Sequence, residues 1–404
     1  MKRSRIYLGA AAFLVMLLVG LAKVGRGEQT VQGNEDCRAE LVQVPEDTIV
    51  NLRIDDDFNA TLENALLGSI RAMNKTPAAA GTKQGGISAQ RLRQTLQALL
   101  VLVRKNLSKQ QFLQQLRRQF NFFTFTGAEK ENPMLITGYY EPQFKASLVR
   151  GAPYLYPLYA VPDGLLEFDD GATGRNRIYR RQGNMLFPYW RREEIDSGDL
   201  LTGSELVYLA DPLDAFVLHV QGSGRLRLPD GSLRRIRYAG NNGHPYKSIG
   251  RMLVEEGAMP LEEVSMPAII DYLHDHPDQL RKILFHNDRY IFFAWDERQQ
   301  SERLGPIGSM GEPLVPGRSV ALDQRCYPLG AVGFLNARQP RFDEKGRLFS
   351  WVSLHRLVVN QDSGAAISGP FRLDLFCGTG PYAAKEAGIM RQHGDFFVLL
   401  KKTE

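Results

Sequence analysis

Cysteine is scarce in this chain: Cys37, Cys326 and Cys377 are the three among 404 residues. That excludes a small scaffold stapled by disulfides, and no two of them stand at zinc-ligand spacing. The seven histidines (His219, His244, His274, His276, His286, His355 and His393) show no helix-face metal pairing either. A glycine loop of the Walker or dinucleotide type is missing, and no serine sits in a nucleophile-elbow pattern. Neither a metal nor an organic cofactor is expected. An excess of one charge is also lacking. The formal charge of +5 comes from 50 basic and 45 acidic residues, and Lys2, Arg3, Arg5, Lys23 and Arg26, all near the N-terminus, account for it. The remainder is neutral, which argues against a nucleic-acid binder built on a basic surface.

Long apolar runs are few, and the informative one spans Ile6 to Ala22, behind MKRSR and ahead of Lys23. It reads as a cleaved export signal or a retained anchor helix, with Gly20 and Ala22 spaced for cleavage. Residues 1–26 are assigned to this segment and 27–60 to a linker. Both readings put the body of the chain beyond the membrane, in the periplasm, and a retained anchor would add membrane contact through this segment.

What is present is a chain able to fold. Hydrophobic residues make up 43%, and 38 Gly with 21 Pro suit a strand- and loop-rich architecture of two or three domains, or one domain interrupted by another. Helical spacing covers Leu62 to Lys75. Thr76 to Gly86 reads as a surface loop. Ser88 caps a helix whose Leu92, Leu96, Leu99, Leu100 and Val103 share one face, and Ser108 starts another ending near Phe120. Phe216 to Leu228 reads as two strand-like stretches broken at 221–224, followed by an Asp230-Gly231 hairpin turn. Ser248 to Glu256 and Pro267 to Leu284 read as helices. Short strands return around Tyr154 to Val161, Val320, Trp351 to Val359, Phe371 to Phe376 and Asp395 to Leu400, with a helix at Ala383 to Met390. Irregularly spaced short strands suggest barrels with crossing connections.

The chemistry concentrates near the C-terminus, in VVNQDSGAAISGPFRLDLFCGTGPYAAKEAG. In a strand, Leu373 and Leu375 share one face and Asp374 takes the other. An aspartate bordered by apolar residues, with Asp362 nearby, can hold its proton near neutral pH, as a general acid must. Spacing alone, however, favours turn caps or backbone hydrogen bonding for Asp362 and Asp374, and a structural role for Asp323 in SVALDQRCYPLG. Cys326 and Cys377 each follow an aspartate by three residues; converging strands would let them pair, the alternative being two buried thiols. Two segments look suited to sugars. ITGYYEP brings Thr137, Gly138, Tyr139, Tyr140 and Glu141 together, and HVQGSGR sets Gln221, Gly222 and Ser223 in a glycine-flanked loop. Tyr246 and Lys247 precede the Ser248 helix, where Lys247 would meet an anionic group. Each aromatic taken singly is as well explained by core packing.

Taken in order, ITGYYEP, YPLYAVP, FVLHVQGSGRL, YAGNNGHPYKSIG, SMPAI, PLVPGRSVALD and the C-terminal segment resemble the membrane-bound lytic murein transglycosylase A family with its three-aspartate domain, over about residues 130 to 400. The resemblance implies a mainly β fold with several helices: a double-psi β-barrel from 61–142 and 286–404, with its three-aspartate segment at 315–392, interrupted by a smaller β-barrel domain at 143–285. A groove between them would take peptidoglycan glycan strands, and the chain would act as a monomer. Asp374 would be the acid, with Asp362 and Asp323 as supporting carboxylates. Thr137, Gly138, Tyr139, Tyr140, Glu141, Gln221, Gly222, Ser223, Tyr246 and Lys247 would contact substrate. The implied reaction cleaves the β-1,4 bond between N-acetylmuramic acid and N-acetylglucosamine and leaves 1,6-anhydro ends. Members with a lipid anchor carry a cysteine after the signal, which this chain lacks. Two rival readings are a non-catalytic wall-binding module and a hydrolase in which Glu141 partners Asp374.

Overall fold

Ser88 behaves as its place ahead of the leucine pattern predicts: its Oγ accepts from Arg91 N and opens the helix Ala89–Val103. Ser108 closes a capping box with Gln111 and opens Lys109–Gln119. With Ala60–Lys75, these helices bury their apolar sides in one core with Val332, Phe334, Leu357, Val359 and Leu399. A computed structural model describes residues 37, 39–50, 52–54, 60–75, 83–84, 86–126, 133–170, 175–261, 263–297, 304–344, 346–364 and 367–403. The signal or anchor segment and most of the Thr76 to Gly86 loop lie outside the described residues. Among those described, no helix is long and apolar enough to cross a membrane.

The chain divides into two units. The first comprises Glu35–Tyr139, Gln300–Gly378 and Ile389–Glu404. Its strands follow one another in the order Met134–Glu141, Arg372–Thr379, Ser319–Leu322, Leu348–Asp362, Val332–Phe342 and Arg391–Lys401, and the last pairs back onto the first. This closed ring is the double-psi barrel expected of the outer unit. Ser319–Leu322 runs parallel to Leu348–Asp362 and antiparallel to Arg372–Thr379. Phe120–Phe125 and then Leu41–Gln43 extend the sheet from Arg391–Lys401, so the stretch read as a linker supplies an edge strand.

The second unit comprises Tyr140–Gln299 and Thr379–Gly388. Its six-stranded sheet runs Ile291–Trp295, Leu233–Asn241, Ser223–Arg227, Gln143–Ser147, Glu205–Leu209, Tyr156–Tyr159, and a three-stranded sheet spans Leu165–Asp170, Arg175–Gln182 and Met185–Pro188. The Asp230-Gly231 turn joins two of these strands, with Gly231 at φ 83.

Three expectations are corrected and one strand is added. Phe216 to Gln221 is not a strand but the end of the helix Pro212–Gln221, capped by Asp211 and stopped by left-handed Gly222. Leu213, Phe216, Val217 and Leu218 are all buried, and a helix enclosed on most sides loses the polar stripe that would mark its period. The long helix read over Pro267 to Leu284 is two, Met266–Asp275 and Leu280–Phe285, because Pro277 cannot continue the first. The strand Val332–Phe342 went unforeseen: Asn336, Arg338, Gln339 and Pro340 obscure its alternation. Finally, Cys326 pairs with Cys37, across 289 residues, and Cys377 stays outside the disulfide as a thiol.

Candidate active site

Strand alternation builds the site. In Arg372–Thr379, Leu373 and Leu375 turn into a core with Val320 and Leu322, which leaves Arg372, Asp374 and Phe376 on the opposite face. On Met134–Glu141, Met134 and Ile136 enter that same core, so Thr137 and Tyr139 stand on the Asp374 side. Thr137 Oγ1 donates to Asp374 Oδ1. Asp374 has no exposed surface, and its Oδ2 has no hydrogen-bond partner among the described residues.

Asp362 reaches this face through a bulge. Val320 pairs with Asn360, but Ala321 pairs with Asp362, so Gln361 is the extra residue. Unbroken alternation would have turned Asp362 to the side of Val358, into the core of Leu373 and Leu375. Gln361 instead anchors the bulge: it accepts from Ser319 Oγ (2.5 Å) and donates to Ala65 O and Ser69 Oγ (both 3.0 Å). Ala321 also pairs with Asp374, so the two aspartates flank one small residue, with backbones two strand spacings, about 10 Å, apart. Both Asp362 oxygens are occupied. Tyr139 Oη donates to Oδ2 at 2.9 Å, while Ser309 N and Oγ donate to Oδ1 at 3.0 and 2.9 Å.

The electrostatics separate the carboxyls. Burial pushes the Asp374 carboxyl up to about 6, against the pull of Arg372 and the Thr137 hydrogen bond, with the Asp362 charge adding to the rise. Burial likewise raises Asp362, against its hydrogen bonds from Ser309, Ser363 and Tyr139. Burial and the neighbouring Asp362 hold the Tyr139 phenol well above its usual range, so it remains a donor.

Asp323 belongs to a different network. It caps its own turn through Arg325 N, accepts Arg325 Nη2 at 2.5 Å, and accepts Gly369 N at 2.6 Å. Arg325 also donates to Ser368 Oγ. Burial works to raise this carboxyl, but the bonds from Arg325 and Gly369 outweigh it and hold it below the usual range. Asp323 therefore pins the loop joining Asp362 to Asp374.

Gly138 is buried in the barrel strand between Thr137 and Tyr139, and the remaining predicted residues lie in the second unit. Glu141 is 1% exposed and clasped by Arg225 Nε at 2.6 Å and Arg235 Nε at 3.1 Å. Burial raises its pKa against both arginines. Both arginines belong to the second unit, so this carboxyl is held in an ion-pair cluster within that unit. Tyr140 is buried beside it in sequence. Gln221 ends a helix, Gly222 caps it, and Ser223 begins the next strand. Gln221 Nε2 and Tyr246 Oη are buried without hydrogen-bond partners among the described residues. Lys247 is engaged by Asp288 at 2.5 Å. Among the described residues no cluster of metal-ligating side chains occurs.

The MltA-specific insert domain matches residues 135–294, and the 3D domain matches 318–400, the span holding Asp323, Asp362 and Asp374. Membrane-bound lytic murein transglycosylase A of Escherichia coli K12 is 33% identical over 287 residues, 70% of each chain. The chain belongs to the membrane-bound lytic murein transglycosylase A family. The Vibrio cholerae protein of that name is 32% identical over 66% of each chain. Among solved structures, the Agrobacterium tumefaciens membrane-bound lytic murein transglycosylase superposes with TM-score 0.68 at 28% identity, covering 90% of this chain and 98% of that one. Escherichia coli MltA with bound chitohexaose gives 0.66 at 26%, covering 94% and 98%.

Ser309 and Arg372 escaped the sequence reading of this family member. Arg372 was within reach, since residues two apart on a strand share a face. Ser309 lies 53 residues from Asp362, and nothing local links them.

Proposed function

We propose that the chain cleaves the β-1,4 bond between N-acetylmuramic acid and N-acetylglucosamine in peptidoglycan, leaving 1,6-anhydro ends, with Asp374 as the sole acid and base. Protonated Asp374 gives its proton to the glycosidic oxygen as the bond to C1 breaks. The muramoyl C6 hydroxyl then bonds to C1, and its proton passes to the ionised carboxylate. Atoms balance without water. The observation that carries this reading is the state of Asp374: buried, poised near neutral pH, one oxygen held by Thr137 and the other unengaged.

A two-carboxylate hydrolase fits less well. Retention needs a second carboxylate about 5 Å from the first, and inversion needs one free to activate water. Asp362 has both oxygens taken, and Glu141 is clasped by two arginines. A solved relative holds chitohexaose, which supports a glycan strand as the ligand here. The basic and apolar opening segment supports an exported location beside the wall.

The test is digestion of purified peptidoglycan with mass analysis of the fragments. Anhydro products, lighter by one water than reducing-end products, are expected; reducing ends would overturn the proposal. Asp374→Asn should abolish turnover in a folded protein. Release of no fragments by wild type, despite binding to sacculi, would favour the wall-binding module instead.

A further inference from the structure

A carboxyl that acts first as acid and then as base faces conflicting demands. It must keep its proton in the resting site, yet be tolerated as an anion while the oxocarbenium-like sugar waits for its C6 hydroxyl. Burial alone serves the first demand and defeats the second. The site therefore needs a positive charge close to Asp374, out of bulk water and fixed in place.

Arg372 supplies a buried positive charge on the Asp374 face. It sits two residues before Asp374 on the same strand, so both side chains leave the same face. It is itself buried, at 8% exposure. Leu373 between them is locked in the core, which fixes the strand's rotation and keeps the pair on one side. Among the described residues, the other charged and titratable groups around Asp374 are Asp362 from Leu348–Asp362, Tyr139 from Met134–Glu141, Cys377, whose thiol acts on Tyr139, and Arg391 of Arg391–Lys401, which pairs with Thr137. Ser319–Leu322 presents only Ser319 and Ala321 to this face. Arg391 is exposed at its strand's start and faces water, where its charge is screened.

We propose that Arg372 is a positioning residue whose guanidinium stabilises the ionised form of Asp374 between the two proton transfers, allowing one carboxyl to complete both halves of the reaction. The inference rests on the anhydro-forming reading above. The Arg372 charge is the largest influence drawing the Asp374 carboxyl down against its burial, and the same pair lifts the guanidinium against its own desolvation.

The experiment follows release of 1,6-anhydro fragments from soluble glycan strands against pH, for wild type, Arg372→Gln, Arg372→Met and Arg372→Lys. Since the acid must start protonated, wild-type activity falls on the alkaline side. Loss of the positive charge should move that limb up by about one pH unit or more. It should also lower turnover about tenfold or more where the acid is fully protonated, because the anion has lost its partner. Arg372→Lys should return the limb to its wild-type place. A limb unmoved in folded neutral variants overturns the inference, even if turnover drops, since a merely structural role would lower rate without moving the profile. If both neutral variants unfold, Arg372→Lys decides: a limb displaced upward despite the retained charge overturns it, and a limb in place supports it. Asp374→Asn, run alongside, separates the two levels. Retained turnover there removes the acid itself, whereas an inactive Asp374→Asn with an unmoved limb in Arg372→Gln removes only the role of Arg372.

Discussion

Asp374 is a residue whose function opposes stability. Its folded carboxyl titrates about two units above the unfolded one, so the native state prefers the protonated form. Below the unfolded value near 3.8 both states are protonated and nothing is lost; as pH rises through the folded value near 6, the folded state comes to bear an ionised, buried group. Asp374→Asn should therefore melt above wild type at neutral pH, by up to about 3 kcal/mol, while losing turnover. The gain should vanish on acidification to about pH 4, which thermal melts across pH will check. Tyr139→Phe probes the neighbour. It removes a 2.9 Å bond to Asp362, worth about 0.5–3 kcal/mol, and should lower turnover without altering the anhydro product.

At the scale of elements, the loop between the aspartate strands depends on Asp323. Its depressed folded pKa means the clamp on Gly369 and Arg325 is fully present above the unfolded value, near 4, and is lost as pH falls below it. Asp323→Asn should cost about 1–3 kcal/mol at neutral pH, with the difference from wild type shrinking in acid melts. In the second unit, helix Pro212–Gln221 lies so close to strand Ser223–Arg227 that a methyl at Gly224 would meet Leu218 and come within 3.2 Å of Pro142 O. Gly224→Ala should destabilise by about 1–3 kcal/mol, since backbone cannot yield as a side chain does; urea unfolding will show it as a lower midpoint.

At the scale of the molecule, the Cys37–Cys326 bond ties the start of the described chain to the turn that carries Asp323. Closing a loop across 289 residues constrains the unfolded chain strongly, by about 2–5 kcal/mol. Reductant, or Cys37→Ser with Cys326→Ser, should lower the melting temperature accordingly. Thiol counting under denaturing, non-reducing conditions should find one free sulfur, that of Cys377, and finding three would contradict the bond.

Much of this was legible in the residues in order. Ser88 and Ser108 mark helix starts, Asp230-Gly231 marks a hairpin, and Leu373 with Leu375 places Asp374 on the face away from the core, because caps, turns and alternation act within a few residues. The ordered motifs also carried the family and its mainly β architecture. What folding alone decided lies across long separations. Thr137 meets Asp374 across 237 positions and Gln361 meets Ala65 across 296. The Gln361 bulge turns Asp362 onto its partner's face, Cys326 chooses Cys37 over Cys377, and Arg225 with Arg235 clasps Glu141. Local pattern cannot register such pairings, because they depend on which strands become neighbours once the barrel closes.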